Sequence, residues 1–496
     1  MIPLSIWDKF KKIKDDGWKS LLKQSTDFQS TYYFNEKTNE RFGFHFYATL
    51  VDEQIIQESA LPALLTKKFE SLEDLHRIVP IADIHILKNP SDIEQKLLNG
   101  YVLVTLDSDK NRFGFIAAQK EIVRSLTQPE IEFSVIGPKE AFVEAIGQNL
   151  NLIRKRLPIK ELISQEYTVG KLSKTKVAVL HIEGITNKDN VDTVKQRIKN
   201  IEIDTISDSS NIVELLSDNS NSLFPQLLDT ERPDRVAAIL AEGKIAIIVD
   251  GSPHVLIAPT TLIEFFSAFE DYFLNWIVAT FFRLVRFFAV VFSVLVTPIY
   301  VAAMTYQYEL IPPDLLGLLV TSRRTIPLPP ILEALFLELT IELLREAGAR
   351  LPTKVGQTIG IVGGIVIGTA SVEAGLTSNV LLIFVALGAL GSFTTPVYKM
   401  GNTIRVLRFP FLLFAQFWGV LGILFCFCIL IAHLLRLTSL GRPFLAPIYP
   451  LRLADMKDTL IRAPLQKMYR RPHVLRTQKP KRFNKKKAEN PKDIDE

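Results

Sequence analysis

The spacing of apolar positions changes twice along the chain. Up to about Ile263, short apolar runs alternate with charged stretches; from Phe287 to Leu435 the runs become long and are separated by short polar loops; after Arg436 the chain turns polar and basic. The front pattern predicts two α/β units. In the first, FGFHFYATL (Phe42–Leu50) reads as a strand, with helices from about Glu53 and over Ser91–Leu98. GYVLVTLDSDKNRFGFIAA places two apolar strands around Asp107–Asn111, a hairpin turn by composition. Phe142, Ile146, Leu150 and Ile153 at helical spacing predict a helix from about Lys139 to Arg156 that closes the unit. The second unit begins near Pro158 with ISQEYTVG and TKVAVLHIEG, continues through helices at about Asp189–Ile198 and Arg232–Glu242, and ends in two strands around Asp250-Gly251-Ser252-Pro253. Asp204–Ser222, rich in Ser, Asp and Asn, reads as a loop with one short apolar break.

The back pattern predicts an all-α polytopic membrane domain of about four spans plus an amphipathic helix. The spans lie at about Phe287–Met304, kinked at Pro298, then Val355–Ser371, Leu376–Val397 and Phe409–Leu435. The second span repeats small-xxx-small spacing through Gly356, Gly360, Gly364 and Gly368, which marks a close helix contact, within the chain or with another copy. Between the first two spans lies PPILEALFLELTIELLREAGARLPTK (Pro329–Lys354). On a helix, Glu338, Glu342, Arg345 and Glu346 share one side, Leu332, Leu335, Leu339 and Leu343 the neighbouring arc, and Glu333 stands apart. Charges facing hydrocarbon are costly, so this helix is expected at the interface or along a water-filled space, with Arg345 paired to Glu342 or Glu338 and carboxylates left over to attract cations. Four spans put both ends on one side but place Lys399, Arg405 and Arg408 opposite, against the positive-inside tendency.

The expected division is therefore an amphipathic segment at 1–27, packed on the protein or on headgroups, α/β subdomains at 28–157 and 158–265, a transmembrane helical domain at 266–440, and a basic, solvated cytoplasmic tail at 441–496. The N-terminus has no apolar stretch long enough for a signal peptide, so the soluble half is placed in the cytoplasm. Net charge is +5, with much of the excess in the tail, and no folded domain shows the basic surface that nucleic acid needs. Cys426 and Cys428 point apart on a helix and are read as unpaired. No Walker-type loop, HExxH, CxxC or GxSxG is present, and no cofactor is expected. Asp107 and Asp109 fit a turn better than a metal pair, and His181, in a strand, reads as a hydrogen-bonded structural histidine.

Several blocks resemble the A subunits of GerA-type spore germinant receptors: Glu270-Asp271-Tyr272 through Arg283-Leu284-Val285-Arg286, ELIPPDLL, LEALFLELTIELLREAGARLP with GQTIGIVGGIVIG, ASVEAGL, and RVLRFPFLLFA (Arg405–Ala415). In the front half, VIGPKEAFVEAIGQNLNLIRKRL and GKLSKTKVAVLHIEGI are similar too; Ile136 and Ala141 depart from the pattern. The resemblance implies a two-part cytoplasmic domain on a helical membrane domain, located in the spore inner membrane. It also implies a permease-like B subunit and a lipoprotein C subunit as partners, and a ring of A subunits around a channel. The expected function is non-enzymatic transduction of nutrient binding into ion release by a homo-oligomer in lipid. The rivals are a stand-alone secondary transporter, against which the lack of a visible repeat argues, and a non-conducting scaffold.

Overall fold

The computed structural model describes residues 22, 24–88, 91–120, 129, 132, 134–351 and 353–485. The amphipathic segment expected at the N-terminus lies, up to residue 21, outside them. Strands β1 (Phe28–Phe34), β2 (Arg41–Tyr47), β3 (Ile84–Leu87), β4 (Tyr101–Leu106) and β5 (Asp109–Ala117) form an antiparallel sheet in the order β1-β2-β4-β5-β3. Its two faces are covered because both sets of alternating residues are apolar. Phe42, Phe44 and Val104 pack on the short helices of residues 53–78, while Tyr47, Leu103 and Phe115 pack on α1 (Ser91–Leu98). β6 (Leu162–Val169), β7 (Thr175–Ile182), β8 (Leu228–Thr230), β9 (Ile245–Val249) and β10 (Val255–Ala258) form a second antiparallel sheet in the order β6-β7-β9-β10-β8. The two orders are the same, so the soluble half uses one topology twice.

Helix α2 (Ile146–Arg156) is shorter than its periodicity predicts and belongs to the other unit. Residues 139–145 are not helical, because Phe142 N–H donates to the Glu231 carbonyl and Asn149 bonds both backbone groups of Val143. Leu150 and Ile153 then pack with Leu180 and Ile248 of the second sheet and with Val236 of α5 (Pro233–Glu242). The opposite face of that sheet holds α3 (Lys188–Lys199) and α4 (Ser209–Leu216). α4 is the apolar break in the expected loop, and it becomes a helix because the Asp208 carboxylate caps it at Ser210 N. Asp107-Ser108 is a two-residue hairpin turn, and Asp109 is bound to Arg112 Nε at 2.6 Å. His181 is buried in β7 as expected, but Nδ1 has no hydrogen-bond partner and Nε2 lies 3.8 Å from Glu183.

The units are joined by a buried charge pair. Arg154 of α2 donates through Nε and Nη2 to both carboxylate oxygens of Asp27 at 2.6 and 2.7 Å, and Ser25 and Thr49 add hydroxyl bonds. Burial disfavours the Asp27 charge, but the Arg154 guanidinium and these donors hold the carboxyl below its usual range.

In the helical half, six helices follow: α6 (Trp276–Thr305), α7 (Pro313–Arg323), α8 (Pro330–Ala349), α9 (Thr353–Glu373), α10 (Asn379–Phe393) and α11 (Tyr398–Arg436). Pro298 lies inside α6. Among the described residues only α6 and α11 are long and apolar enough to cross a membrane. α10, with 15 residues, covers about 22 Å. α11 is not one pass. Gly419 takes φ 57° and ψ −138°, a conformation that breaks the helix and that residues with a side chain rarely adopt. Phe414 and Phe425 have ring centroids 5.7 Å apart, where a straight helix would separate them by about 16 Å. Both ends of the resulting hairpin meet the soluble half: Thr403 Oγ1 bonds the Leu223 carbonyl, Lys399 pairs with Asp229, and His433 contacts Ser222. The tip meets the end of α6, where Val420 N–H donates to Gln307 Oε1.

The legs therefore alternate in direction. α10 runs back along α6 (Ser378 at Tyr300, Gly391 at Ala289), and α8 runs alongside α10 (Glu333 at Ser378, Arg345 at Phe393). This replaces the expected four-span scheme: the Glu-rich helix is a leg of the bundle, and the final apolar run turns back on itself. Both ends stay on the soluble side without placing Lys399, Arg405 and Arg408 at the far end.

The tail is folded at least as far as Lys485. Gln478 N–H donates to the Ile185 carbonyl, Arg471 Nε to Ala241, and Arg482 pairs with Glu242 at 2.8 Å, so residues 471–482 clasp the second unit rather than extend into solvent. Lys486, Lys487 and the acidic tip lie outside the described residues.

Two measurements check this account. Arg154→Ala leaves a buried carboxylate without its partner and lowers the chemical-unfolding stability of the soluble half by about 3–5 kcal/mol. Burial, with Lys195 nearby, pushes the His181 pKa down from 6.5 to about 4. The unfolded chain therefore binds the extra proton first, so stability is flat above pH 6.5 and falls from there towards pH 4. Replacing His181 by Gln flattens that leg of a pH series of thermal midpoints.

Candidate functional site

The charges of α8 sort by depth. Near its start, Glu333 is buried and accepts from Arg323 Nη2 at 2.9 Å and from Ser378 N–H at 3.2 Å. At mid-helix, Glu338 is buried between four helices. Its Oε2 accepts from Arg408 Nη1 of α11 at 2.9 Å and its Oε1 from Thr297 Oγ1 of α6 at 3.0 Å. Arg408 Nη2 also donates to Ser293 Oγ of α6 at 2.6 Å and to the Gly388 carbonyl of α10 at 2.8 Å. α10 can bring that carbonyl in because it lies against α6 at two glycines. A Cβ at Gly388 would stand 3.2 Å from Val296 and one at Gly391 2.6 Å from the Ala289 carbonyl.

Towards the soluble side the charges loosen. Glu342 lies 3.3 Å from Arg405 Nε and 4.0 Å from Arg345 Nη1. Arg345 sits 4.2 Å above the Phe393 ring, and none of its guanidinium nitrogens has a hydrogen-bond partner. Glu346 is exposed and bound by Arg350 Nε at 2.9 Å.

The four residues read from periodicity are thus not one water-facing arc. Glu338 is enclosed, Glu342 and Arg345 are partly covered, and only Glu346 is exposed. The surplus of carboxylates also disappears, because Arg405, Arg408 and Arg350 come to meet them. Helical spacing could not reveal a partner 70 positions away. The signal that pointed to it was Arg408 itself, an arginine next to an apolar run that the four-span scheme could not place comfortably.

The glycine stripe is divided in the same way. The surroundings of Gly356 and Gly360 lie outside the described residues. Gly368 meets Leu382 at ordinary contact distance, while a Cβ on Gly364 would meet nothing within 4 Å among the described residues.

A second charged cluster bolts the soluble half to α6. Asp271 accepts from Arg283 Nε at 3.3 Å and from both Nη atoms of Arg286. Arg283 Nη1 also reaches the Asp458 carbonyl at 2.8 Å and its carboxylate at 3.1 Å, and Tyr272 Oη donates to that carboxylate at 2.5 Å. Burial pushes the Tyr272 phenol well above its usual range, so it stays a donor. Among the described residues no group of three His, Cys, Asp or Glu side chains is placed to hold a metal. Both clusters are suited to holding helices in one relation to each other.

The chain matches the family model described as Bacillus/Clostridium GerA spore germination protein over residues 16–474. It is 51% identical over 489 residues to spore germination protein GerQA of Bacillus cereus, covering 97% of this chain and 98% of that one. It is 38% identical to spore germination protein A1 of Bacillus subtilis (strain 168), covering 86% and 88%. The crystal structure of the N-terminal domain of the A subunit of the Bacillus megaterium spore germinant receptor GerK3 aligns with 49% of this chain and 91% of that one, at 29% identity and a TM-score of 0.38. With the family model spanning both the tandem sheets and the helical bundle, the chain belongs to the GerA spore germination protein family.

Proposed function

We propose that the chain is the A subunit of a nutrient germinant receptor in the inner membrane of a bacterial spore. Its soluble half and tail face the spore core, and its helical bundle lies in the bilayer. It works without catalysis and without a cofactor. It receives a signal through a permease-like B subunit, beside a lipoprotein C subunit, and converts it into ion release. Several copies assemble around the ion path, with α9 at the contact between them.

The observation that carries this reading is the continuous run of charged contacts from the soluble half into the bundle. Asp271 ties the domain junction to Arg283 and Arg286 of α6, and seven residues further along α6 Ser293 meets Arg408, which holds Glu338. A shift of the soluble half against α6 therefore reaches the enclosed pair through a single helix. A buried ion pair suits a switch, because its partners lose far more when separated than they gain over an apolar isostere when together. Support for assembly comes from the open side of Gly364, where a glycine has no neighbour to accommodate among the described residues.

Two experiments test the proposal. In nutrient-stimulated spores with equal protein levels, Arg408→Met abolishes cation release, and the charge-swapped double variant Glu338→Arg with Arg408→Glu restores part of it. Unchanged release in Arg408→Met spores favours the non-conducting scaffold instead. Gly364→Leu shifts the purified assembly to smaller particles in mass photometry, while the stability of the single chain changes by less than about 0.5 kcal/mol.

A further inference from the structure

We propose that residues 448–465, between the helical hairpin and the tail clasp, form a lipid-docking surface that lies in the headgroup layer of the bilayer. The inference rests on the reading that the bundle is lipid-embedded, and goes beyond it by assigning a membrane contact outside the helices. The segment exposes Ile448, Tyr449, Leu451, Leu453, Ile461 and Leu465, with Leu451 at 67% and Leu453 at 74%. A stretch this apolar on a soluble surface marks a contact that is made elsewhere.

Its height on α6 says with what. The Arg462 N–H donates to Thr280 Oγ1 at 3.2 Å, and Arg283 Nη1 donates to the carbonyls of Asp458 and Thr459 at 2.8 and 3.3 Å. The segment is thus pinned beside residues 280–283. The uninterrupted apolar run of α6 begins at Phe287, so at 1.5 Å per residue the pinning points stand about 6–10 Å outside the hydrocarbon boundary. The headgroup layer is about 5–8 Å thick on each side.

α6 itself exposes Phe281 and Phe282 at this level and Trp276 and Ile277 a turn or more further from the hydrocarbon, an apolar collar around the helix. The apolar side chains of 448–465 continue that collar outward from the helix. Lys457 is exposed on this segment and Lys467 just beyond it, and both add attraction for anionic headgroups. Arg452, tethered through its N–H to the Pro447 carbonyl, shapes the turn that presents Leu451 and Leu453. A basic, apolar segment fixed at headgroup height fits a lipid surface. The lysine-rich end at Lys479 and Lys481 is instead folded beside Arg471 against the second unit.

The test uses the full chain with Cys426→Ala and Cys428→Ala, carrying one cysteine at a time labelled with an environment-sensitive nitrobenzoxadiazole. Leu453→Cys probes the docking surface and Leu424→Cys the bundle. Leu172→Cys, equally exposed at 74% but on the second soluble unit, is the control. Each protein is placed in nanodiscs of mixed phosphatidylcholine and phosphatidylglycerol containing a lipid with a doxyl group close to its carbonyl. The expected result is a blue-shifted emission at position 453 and several-fold stronger quenching there than at position 172. If 453 behaves like 172 while 424 is shielded and quenched, the docking surface is wrong and the embedded bundle stands. If 453 is shielded only after a partner subunit is added, the surface belongs to that protein and the lipid assignment falls. If 424 is not quenched either, the membrane reading fails and this inference with it.

Discussion

The helical half is organised around one ion pair, Glu338 with Arg408, which binds four helices at a single point. Neither residue can be left alone in apolar surroundings, so each dictates where the other's helix goes. Their remaining bonds then take in α6 through Thr297 and Ser293 and α10 through the Gly388 carbonyl. The close glycine contact of α10 with α6 follows from the same requirement, since that carbonyl must come near enough to accept a hydrogen bond. Further towards the soluble side the charges are less enclosed and less fully bonded, as Arg345 over Phe393 illustrates.

The soluble half solves a similar problem in the same way. Two sheets of identical strand order are tied together by Arg154, which sits on a helix of the second unit and grips Asp27 ahead of the first strand, with Asn151 on Thr49 and Lys160 on Glu94 beside it. At the base of the domain, Asp271 plays this part towards α6. Three buried carboxylate–arginine contacts, each between segments far apart in the chain or at a domain boundary, thus connect the first sheet to the middle of the bundle. The tail adds a fourth tie, because Asp458 shares Arg283 with Asp271.

Much of this architecture was legible in the sequence. Short continuous apolar runs such as Tyr101–Leu106 and Ile245–Val249 announced strands, and the turns at Asp107 and Asp250 announced hairpins. What periodicity cannot carry is the identity of a distant partner. The apolar spacing of Phe142 continued a helix that hydrogen bonds to the Glu231 carbonyl and with Asn149 undo, and the arc of Glu338, Glu342, Arg345 and Glu346 looked wet because Arg408 was not yet beside it. The last apolar run looked like one pass because a single glycine is enough to fold it back. The tail read as solvated because its lysines are conspicuous, whereas the arginines that fasten it, Arg471 and Arg482, are not.

The fold-back at Gly419 bears on how such a chain could be made. A run that enters and leaves by the same face needs no polar segment carried through the lipid, and its turn is one residue with no side chain. In a bilayer, the far surface of the subunit would then be built from residues 306–329, residues 374–378 and that turn, while most of the ordered charged surface stays on the face of the soluble half. Among those stretches the charges are Glu309, Asp314, Arg323 and Arg324 alone, so a protease acting on that face would find few basic sites to cut.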